Sequence, residues 1–318
     1  MSKESVVKEQ ALKFFDDVGL AKAQKPGTID HYETWLANGF HGEMSYLKKH
    51  LRKKSDPSLL LERANSWISL ALSYDTPEPL SIEQQETFIR DKKGWIARYA
   101  RGQDYHLKIK SKQDELIQIL ESKFPGESFL GSVDVNAVLE RDAAAAAGLG
   151  WIGKNTCLIS KTHGSFIFLS EILTTLDLTP DKPVMDHCGK CNRCIEACPT
   201  QALVEPKILD ATKCISYWTI ESKKIAPPEL AAQFGAQVFG CDICQDVCPW
   251  NQKSHSRLTT KGSAAFIEDG SFSLQDVLNS SNEEIKLMLR EKALNRITPE
   301  RFRENVEVAF INVSLGEG

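Results

Sequence analysis

Nine cysteines carry the clearest chemistry in this 318-residue chain. Cys188, Cys191, Cys194 and Cys198 stand at C-x2-C-x2-C-x3-C spacing, with Pro199 after the last. Cys241, Cys244 and Cys248, followed by Pro249, repeat the last three positions of that run. The first run is the spacing that holds [4Fe–4S] clusters in pairs, its fourth thiolate going to the neighbouring cluster. The second run is one thiolate short, and Cys214 between the two can supply it. The arithmetic then closes. Cys188, Cys191, Cys194 and Cys248 are expected to hold one cluster, and Cys198, Cys214, Cys241 and Cys244 the other. Three cysteines at two-residue intervals wrap one cubane and leave a corner open. Each Cys-Pro cysteine, just inside a following helix, points at the other cubane. Clusters sharing loops in this way lie close enough to exchange electrons quickly.

Two other uses of cysteine fit less well. Zinc pairs usually come as C-x2-C with a longer spacer and often with histidine, which does not explain three cysteines plus Cys-Pro twice over. A disulfide framework belongs to small secreted domains. The N-terminal stretch has no apolar signal core and no twin arginine, so export is not expected and the cytoplasm, which keeps thiols reduced, is. Cys157 lies outside both runs and reads as a buried small hydrophobe. No run approaches the ~20 apolar residues of a membrane span. The hydrophobic fraction of 42% and charged fraction of 26% are ordinary for a soluble globular chain. A net charge of −4 does not advertise nucleic acid. The charge is uneven, however, with basic residues at Lys48, Lys49, Arg52, Lys53 and Lys54 and again at Arg98, Arg101, Lys108, Lys110 and Lys112. Such runs are commonly solvated helix faces, and they leave a polyanionic partner open.

The elements that must position these residues follow from periodicity. Residues 3–18 place Val7, Ala11, Phe14, Phe15 and Val18 at helical spacing, with Gly19 as a stop. Leu59 to Ala64 reads as a short helix, and Trp67 to Tyr74 as a buried strand. Residues 107–123 form a helix with Ile109, Leu116, Ile119 and Leu120 on its apolar side. Phe129 to Val133 is a strand with Asp134 at its exit. Val138 to Ala147 is an alanine-rich helix that ends at Gly148. A tight glycine loop, Gly150 to Thr156, leads to a strand at Cys157–Ser160, which is expected to pair with a strand at Ser165–Leu169 across a turn. Ser273 to Val313 reads as helical. Three regions are therefore expected: 1–183 with mixed strands and helices, 184–252 with the clusters, and 253–318 as a helical cap or the start of helical repeats.

With these residues in place, the chain resembles the epoxyqueuosine reductase family from about residue 45 to 252. The resemblance rests on Asp104-Tyr105-His106, Val133-Asp134, Leu139-Glu140-Arg141, the loop from Ala147 to Thr156, both cysteine runs, and the linker Cys214-Ile215-Ser216-Tyr217 with Thr219-Ile220-Glu221. Val238 to Cys244 adds a last stretch. The cysteine runs alone fit many electron carriers; the glycine loop and the Cys214 linker are far more specific. The resemblance implies an α+β fold with a nitroreductase-like cobalamin-binding domain, a bacterial dicluster ferredoxin domain and a small helical C-terminal region. The implied reaction converts the epoxide of epoxyqueuosine, at the tRNA wobble position, to queuosine. Cobalamin at Co(I) would carry it, recharged through two [4Fe–4S] clusters by an external low-potential donor, in a monomer without membrane attachment.

Residue roles follow from the same resemblance. Asp134 is the expected proton donor, with a pKa raised by burial; its other reading is a helix cap. Lys54, Ala97, Tyr105, His106, Asp134, Arg141, Gly153, Lys154, Asn155, Thr156 and Ser216 are expected at the cofactor. The glycine loop also reads as a strand-connecting turn, and His106 as a core histidine. Lys223 and Lys224 are expected to meet phosphates of the tRNA anticodon stem-loop. The Asp-x-His-x-x-Gly signature of cobalamin mutases is absent, with Ile109 in the glycine position, so a histidine cobalt ligand is not expected. Two departures from the family stand out. Val135-Asn136-Ala137 replaces the usual Thr-Gly-Pro, and the chain ends at Gly318 where many members carry a longer helical tail. The competing functions are a dicluster electron-transfer protein and a corrinoid reductive dehalogenase.

Overall fold

The computed structural model describes residues 1–134, 137–255 and 270–315. Val135 and Asn136, the changed turn after Asp134, lie outside the described residues. A four-stranded antiparallel sheet forms the centre of the first region, in the order Asp17–Lys22, Ser66–Ser73, Ile167–Thr174, Phe129–Ser132. All eight residues of Ser66–Ser73 are buried, because helices cover both faces of the sheet. Alternation sorts the side chains by face. Ile68, Leu70 and Leu72 meet Val7, Ile109, Leu116 and Leu120 from the helices Lys3–Ala11 and Tyr105–Lys123. Trp67 and Ala71 face the other way, toward the helix Glu140–Ala146 and its flank. The alanines of that helix let it sit very close to the sheet. A Cβ on Gly19 would lie 2.1 Å from the Ala147 carbonyl oxygen, so only glycine fits there.

Three sequence expectations change. The helix predicted over 3–18 stops at Ala11, and Val18 and Leu20 belong to the edge strand Asp17–Lys22, paired with Leu70 and Ile68. Sheet pairing there overrides a helical spacing that continued only by coincidence. The Leu59–Ala64 helix is reduced to a 3-10 turn at Pro57–Leu59, capped by Asp56, and Arg63 with φ 60° breaks any continuation. The strand after the glycine loop does not form its hairpin with the next strand. Trp151–Ile152 pairs with Leu158–Ile159, while Ile167–Thr174 crosses to the central sheet.

A second sheet joins three distant stretches. Lys93–Ile96 pairs in parallel with Gln237–Phe239 and antiparallel with Ser271–Ser273. The helices Leu274–Asn279, Asn282–Leu289 and Pro299–Leu315 pack Leu274, Ile285, Phe302 and Val306 with Trp95, Val238 and Phe239. The predicted C-terminal helical stretch thus begins with a strand and buries its apolar faces against this sheet. Among the described residues no helix is long and apolar enough to cross a membrane.

Candidate active site and cluster-binding segment

The eight expected cluster cysteines gather in two groups. The Cys194 thiol feels Cys248, Cys188 and Cys191, and Cys248 feels Cys188 and Cys191. Cys241 feels Cys214 and Cys198, and Cys244 feels Cys241, Cys214 and Cys198. Burial pushes the thiols up, Cys194 to about 11 and Cys241 and Cys244 well above the ordinary thiol value. Iron inverts that penalty by binding the thiolate, so the donor set fits two clusters. N–H groups already point at several sulfurs. The Trp151 indole donates to Cys188 Sγ at 3.4 Å, and the Ala202 amide to Cys198 Sγ at 3.3 Å. The amides of Tyr217 and Ser216, and the Ser216 hydroxyl, reach Cys214. Such bonds set cluster potential. Cys157 is no isolated core residue: Cys244, Cys248 and Cys194 are neighbours, and burial pushes its thiol up to about 11.

The second constellation lies at the exit of Phe129–Ser132. The Tyr105 hydroxyl donates to Asp134 Oδ2 at 3.1 Å, and His106 Nε2 lies 3.6 Å from the same oxygen. Asp104 caps the helix Tyr105–Lys123 through the His106 amide and also holds His106 Nδ1 at 2.8 Å. Asp134 has φ 54°, and its backbone N–H donates to Glu140 Oε1 at 2.7 Å. The surrounding walls push the Asp134 carboxyl up, but hydrogen bonds from His106 and Tyr105 and the charges of His106 and Arg296 outweigh them. Its pKa is held below the ordinary carboxylate range. This reverses the expected raised value. Its neighbours shift the other way: the hydrogen bond to Asp134, helped by Asp104, raises His106, and burial pushes Glu140 up to about 8.

The first turn of the helix Glu140–Ala146 ties three loops together. Glu140 holds Asp134; Arg141 Nη1 donates to the Thr156 carbonyl of the glycine loop; Asp142 accepts from the amides of Gly27 and Thr28. Other predicted cofactor residues face different neighbours. Lys54 Nζ donates to Tyr32 Oη at 2.8 Å and to the Leu47 carbonyl. Lys154 Nζ donates to the Gly189 carbonyl and Asn192 Oδ1 of the first cysteine loop. Asn155 bonds the Cys244 carbonyl. Ala97 is buried, its amide on the Phe239 carbonyl. A Cβ on Gly153 would meet Ile159 at 2.3 Å, so this glycine is demanded by hairpin packing. Lys224 pairs with Glu43 at 2.6 Å, and Lys223 is exposed beside it.

Two groups at this site were given no role from the sequence. Arg296 comes from the C-terminal region and pairs with Glu221 at 2.6 Å within electrostatic reach of Asp134 and Tyr46. Nothing in local spacing joins it to Asp134. Glu140 carried a usable signal, a carboxylate just after the loop at the start of a helix.

Comparison with known proteins places this arrangement. A model described as "Epoxyqueuosine reductase QueG, DUF1730" matches residues 54–135, and a 4Fe-4S double cluster binding domain matches 187–251. The chain is 44% identical over 255 residues to the epoxyqueuosine reductase of Cellulophaga algicola, covering 79% of this chain and 80% of that one. It belongs to the epoxyqueuosine reductase family. A crystal structure of an epoxyqueuosine reductase with an epoxyqueuosine-modified tRNA-Tyr stem loop superposes with TM-score 0.83 at 28% identity, covering 99% of this chain and 83% of that one. A Bacillus subtilis epoxyqueuosine reductase, described with its Asp134 catalytic loop swung out of the active site, superposes with TM-score 0.84 at 28% identity over 99% and 83%. Membership in this family favours epoxyqueuosine reduction over the electron-carrier and dehalogenase readings, and the double-cluster domain is the iron–sulfur site.

Proposed function

We propose that this chain reduces the epoxide of epoxyqueuosine in a tRNA anticodon stem-loop, with Asp134 delivering the proton and cobalamin as the reacting cofactor. The cluster ligands are Cys188, Cys191, Cys194 and Cys248 for one cluster and Cys198, Cys214, Cys241 and Cys244 for the other. The observation that carries the proton role is the convergence of Tyr105, His106 and Glu140 on Asp134. Tyr46 and Arg296 stand on the same side. The tRNA-bound relative supports the partner. Overall, the epoxide takes up two electrons and two protons; both C–O bonds break, the alkene forms and water leaves.

Cobalamin suits the site's donors in one testable respect. His106 has both ring nitrogens engaged, by Asp104 and Asp134, so it is not available as a cobalt ligand. When bound, cobalamin supplies a strongly reducing, nucleophilic Co(I) centre. The remaining steps belong to the protein. Asp134, ionised in the resting site, takes a proton from His106, and its carboxyl passes that proton to the oxygen set free as the epoxide opens; the second proton, needed for that oxygen to leave as water, comes from solvent. Tyr105 and His106 line the pocket. Residues 1–183 form the cobalamin-binding unit, 184–252 the cluster unit and 253–318 a helical C-terminal region. Electrons come from an external low-potential donor, and the monomeric enzyme acts in the cytoplasm.

The test is single-turnover conversion of epoxyqueuosine-containing tRNA by pre-reduced enzyme, with iron and corrinoid content measured alongside. Asp134→Asn keeps the shape of the side chain and removes the proton, so conversion is expected to fall by roughly 10²–10⁴ with both cofactors retained. Near-wild-type conversion would retire Asp134 and move the role to Tyr105 or His106.

A further inference from the structure

We propose that Glu140 positions Asp134 for proton delivery by accepting its backbone N–H and so holding Asp134 in a left-handed backbone conformation. The inference rests on the reading of Asp134 as the proton-delivering residue.

Asp134 follows the strand Phe129–Ser132 and precedes the helix Glu140–Ala146, so neither the sheet ladder nor a helix supplies a partner for its amide. With φ 54° it occupies the left-handed region, uncommon for residues with a Cβ though more open to aspartate than to most, and a local hydrogen bond favours it there. The restraint present is the 2.7 Å hydrogen bond to Glu140 Oε1. Glu140 is well placed to supply it. It is the first residue of its helix, and the helix is seated on the central sheet through Ala143 and Ala144. Leu139, the residue before it, makes no side-chain cap. A fixed helix end therefore aims the carboxyl back across the loop.

The charge state suits the task. The groups facing Glu140 are Asp134 across the loop, His106 and Tyr105 from Tyr105–Lys123, Arg141 on its own helix, and Glu171 from Ile167–Thr174. With its pKa pushed up to about 8, Glu140 is neutral at neutral pH. A neutral acceptor holds the amide without setting a second negative charge beside the Asp134 carboxylate. Glutamine reproduces this acceptor at the same reach. Aspartate keeps the carboxyl but is one methylene too short.

The experiment compares wild type, Glu140→Gln, Glu140→Asp, Glu140→Ala, Asp134→Asn and Glu140→Ala/Asp134→Asn in the single-turnover assay at neutral pH. Each is loaded with iron and cobalamin, and tRNA affinity is measured separately. Glu140→Gln is expected near the wild-type rate, and Glu140→Asp and Glu140→Ala roughly 10²-fold down, with tRNA affinity unchanged. The double variant should be no slower than Asp134→Asn alone, because Glu140 acts only through Asp134. A second readout needs no turnover. In the full chain without cofactors, the His106 imidazole should titrate above its ordinary range in wild type and Glu140→Gln, and drop back in Glu140→Ala. Wild-type rate in Glu140→Ala, equal loss in Glu140→Gln, or losses that multiply in the double variant would each overturn the proposal. If Glu140→Ala does not fold, Glu140→Asp against Glu140→Gln decides it. Wild-type conversion by Asp134→Asn would remove the underlying proton-delivery reading, and that variant alone reports it.

Discussion

At the scale of single residues, the site runs on a charge pair that leans away from its acid. His106 is raised and Asp134 lowered, each by the other. The stability signs follow. The His106 contribution is fully present below its ordinary pKa near ~6.5 and fades as pH rises through the raised folded value. The Asp134 contribution is present above its ordinary ~3.9 and fades as pH falls through the lowered folded value. The pair is therefore most complete between the two, in mildly acid solution. With the Asp134 side chain 54% exposed, its effect on stability is small, so the measurement of choice is local. In NMR titration of the full chain, the His106 imidazole should have a midpoint above the ordinary histidine range, and Asp134→Asn should lower it. An unchanged midpoint would mean that the 3.6 Å approach carries no charge pairing. On the proposed role of Asp134, a raised His106 beside it is the neighbouring group from which a low-pKa carboxylate would be reprotonated.

At the scale of elements, the cluster segment depends on a linker. Cys214 follows the short turn Ala211–Lys213 and precedes a π-helical turn, Tyr217–Glu221, whose first amides point back at its sulfur. Wild-type protein should carry about eight iron atoms per chain after anaerobic reconstitution, and Cys214→Ala should lose about half. Cys157→Ala should keep all of it, since each quartet is complete without that thiol. Full iron in the Cys214 variant would separate this linker from the cluster. The cysteine pattern was readable because ligand spacing is short-range chemistry written directly in the chain. The strand Ser66–Ser73 was readable because burial on both faces leaves a short apolar run, and the helix Tyr105–Lys123 because burial on one face leaves a helical period. The edge strand Asp17–Lys22 was not: its pairing partner lies some fifty residues on, and Phe14, Phe15 and Val18 extend the helical spacing by chance. The glycine loop was legible as a tight turn, yet the direction of Lys154 and Asn155, toward the cysteine loops and not into open space, depends on contacts no local pattern encodes.

At the scale of the whole molecule, the proposed tRNA interface would draw its positive charge from three regions. Net charge is −4, so attraction for a polyanion must be local. Lys48, Lys49, Arg52 and Lys53 are exposed in the first region, Lys223 in the cluster region, and Arg296 arrives from the C-terminal region beside Tyr46 and Glu221. Lys54 and Lys224 differ from their neighbours in sequence, because one ammonium is committed to Tyr32 and Leu47 and the other to Glu43. Charge held by an internal partner releases few counterions when tRNA binds. For a phosphate-led interface, log affinity should fall linearly with log salt, with a slope of about −0.7 to −0.9 per phosphate contact. The measurement is titration of an epoxyqueuosine-containing anticodon stem-loop between about 50 and 200 mM salt. Lys53→Gln and Lys223→Gln should each make the slope shallower by about one contact. Lys54→Gln and Lys224→Gln should change it much less. Arg296→Gln should act differently again: its charge is paired with Glu221, so the salt slope should change little, while single turnover slows because that charge reaches Asp134. A slope untouched by Lys53→Gln and Lys223→Gln together would mark those lysines as solvated surface. It would leave the tRNA to be held by the groups near Tyr46, Arg296 and Asp134, where affinity depends on the modified base more than on phosphate.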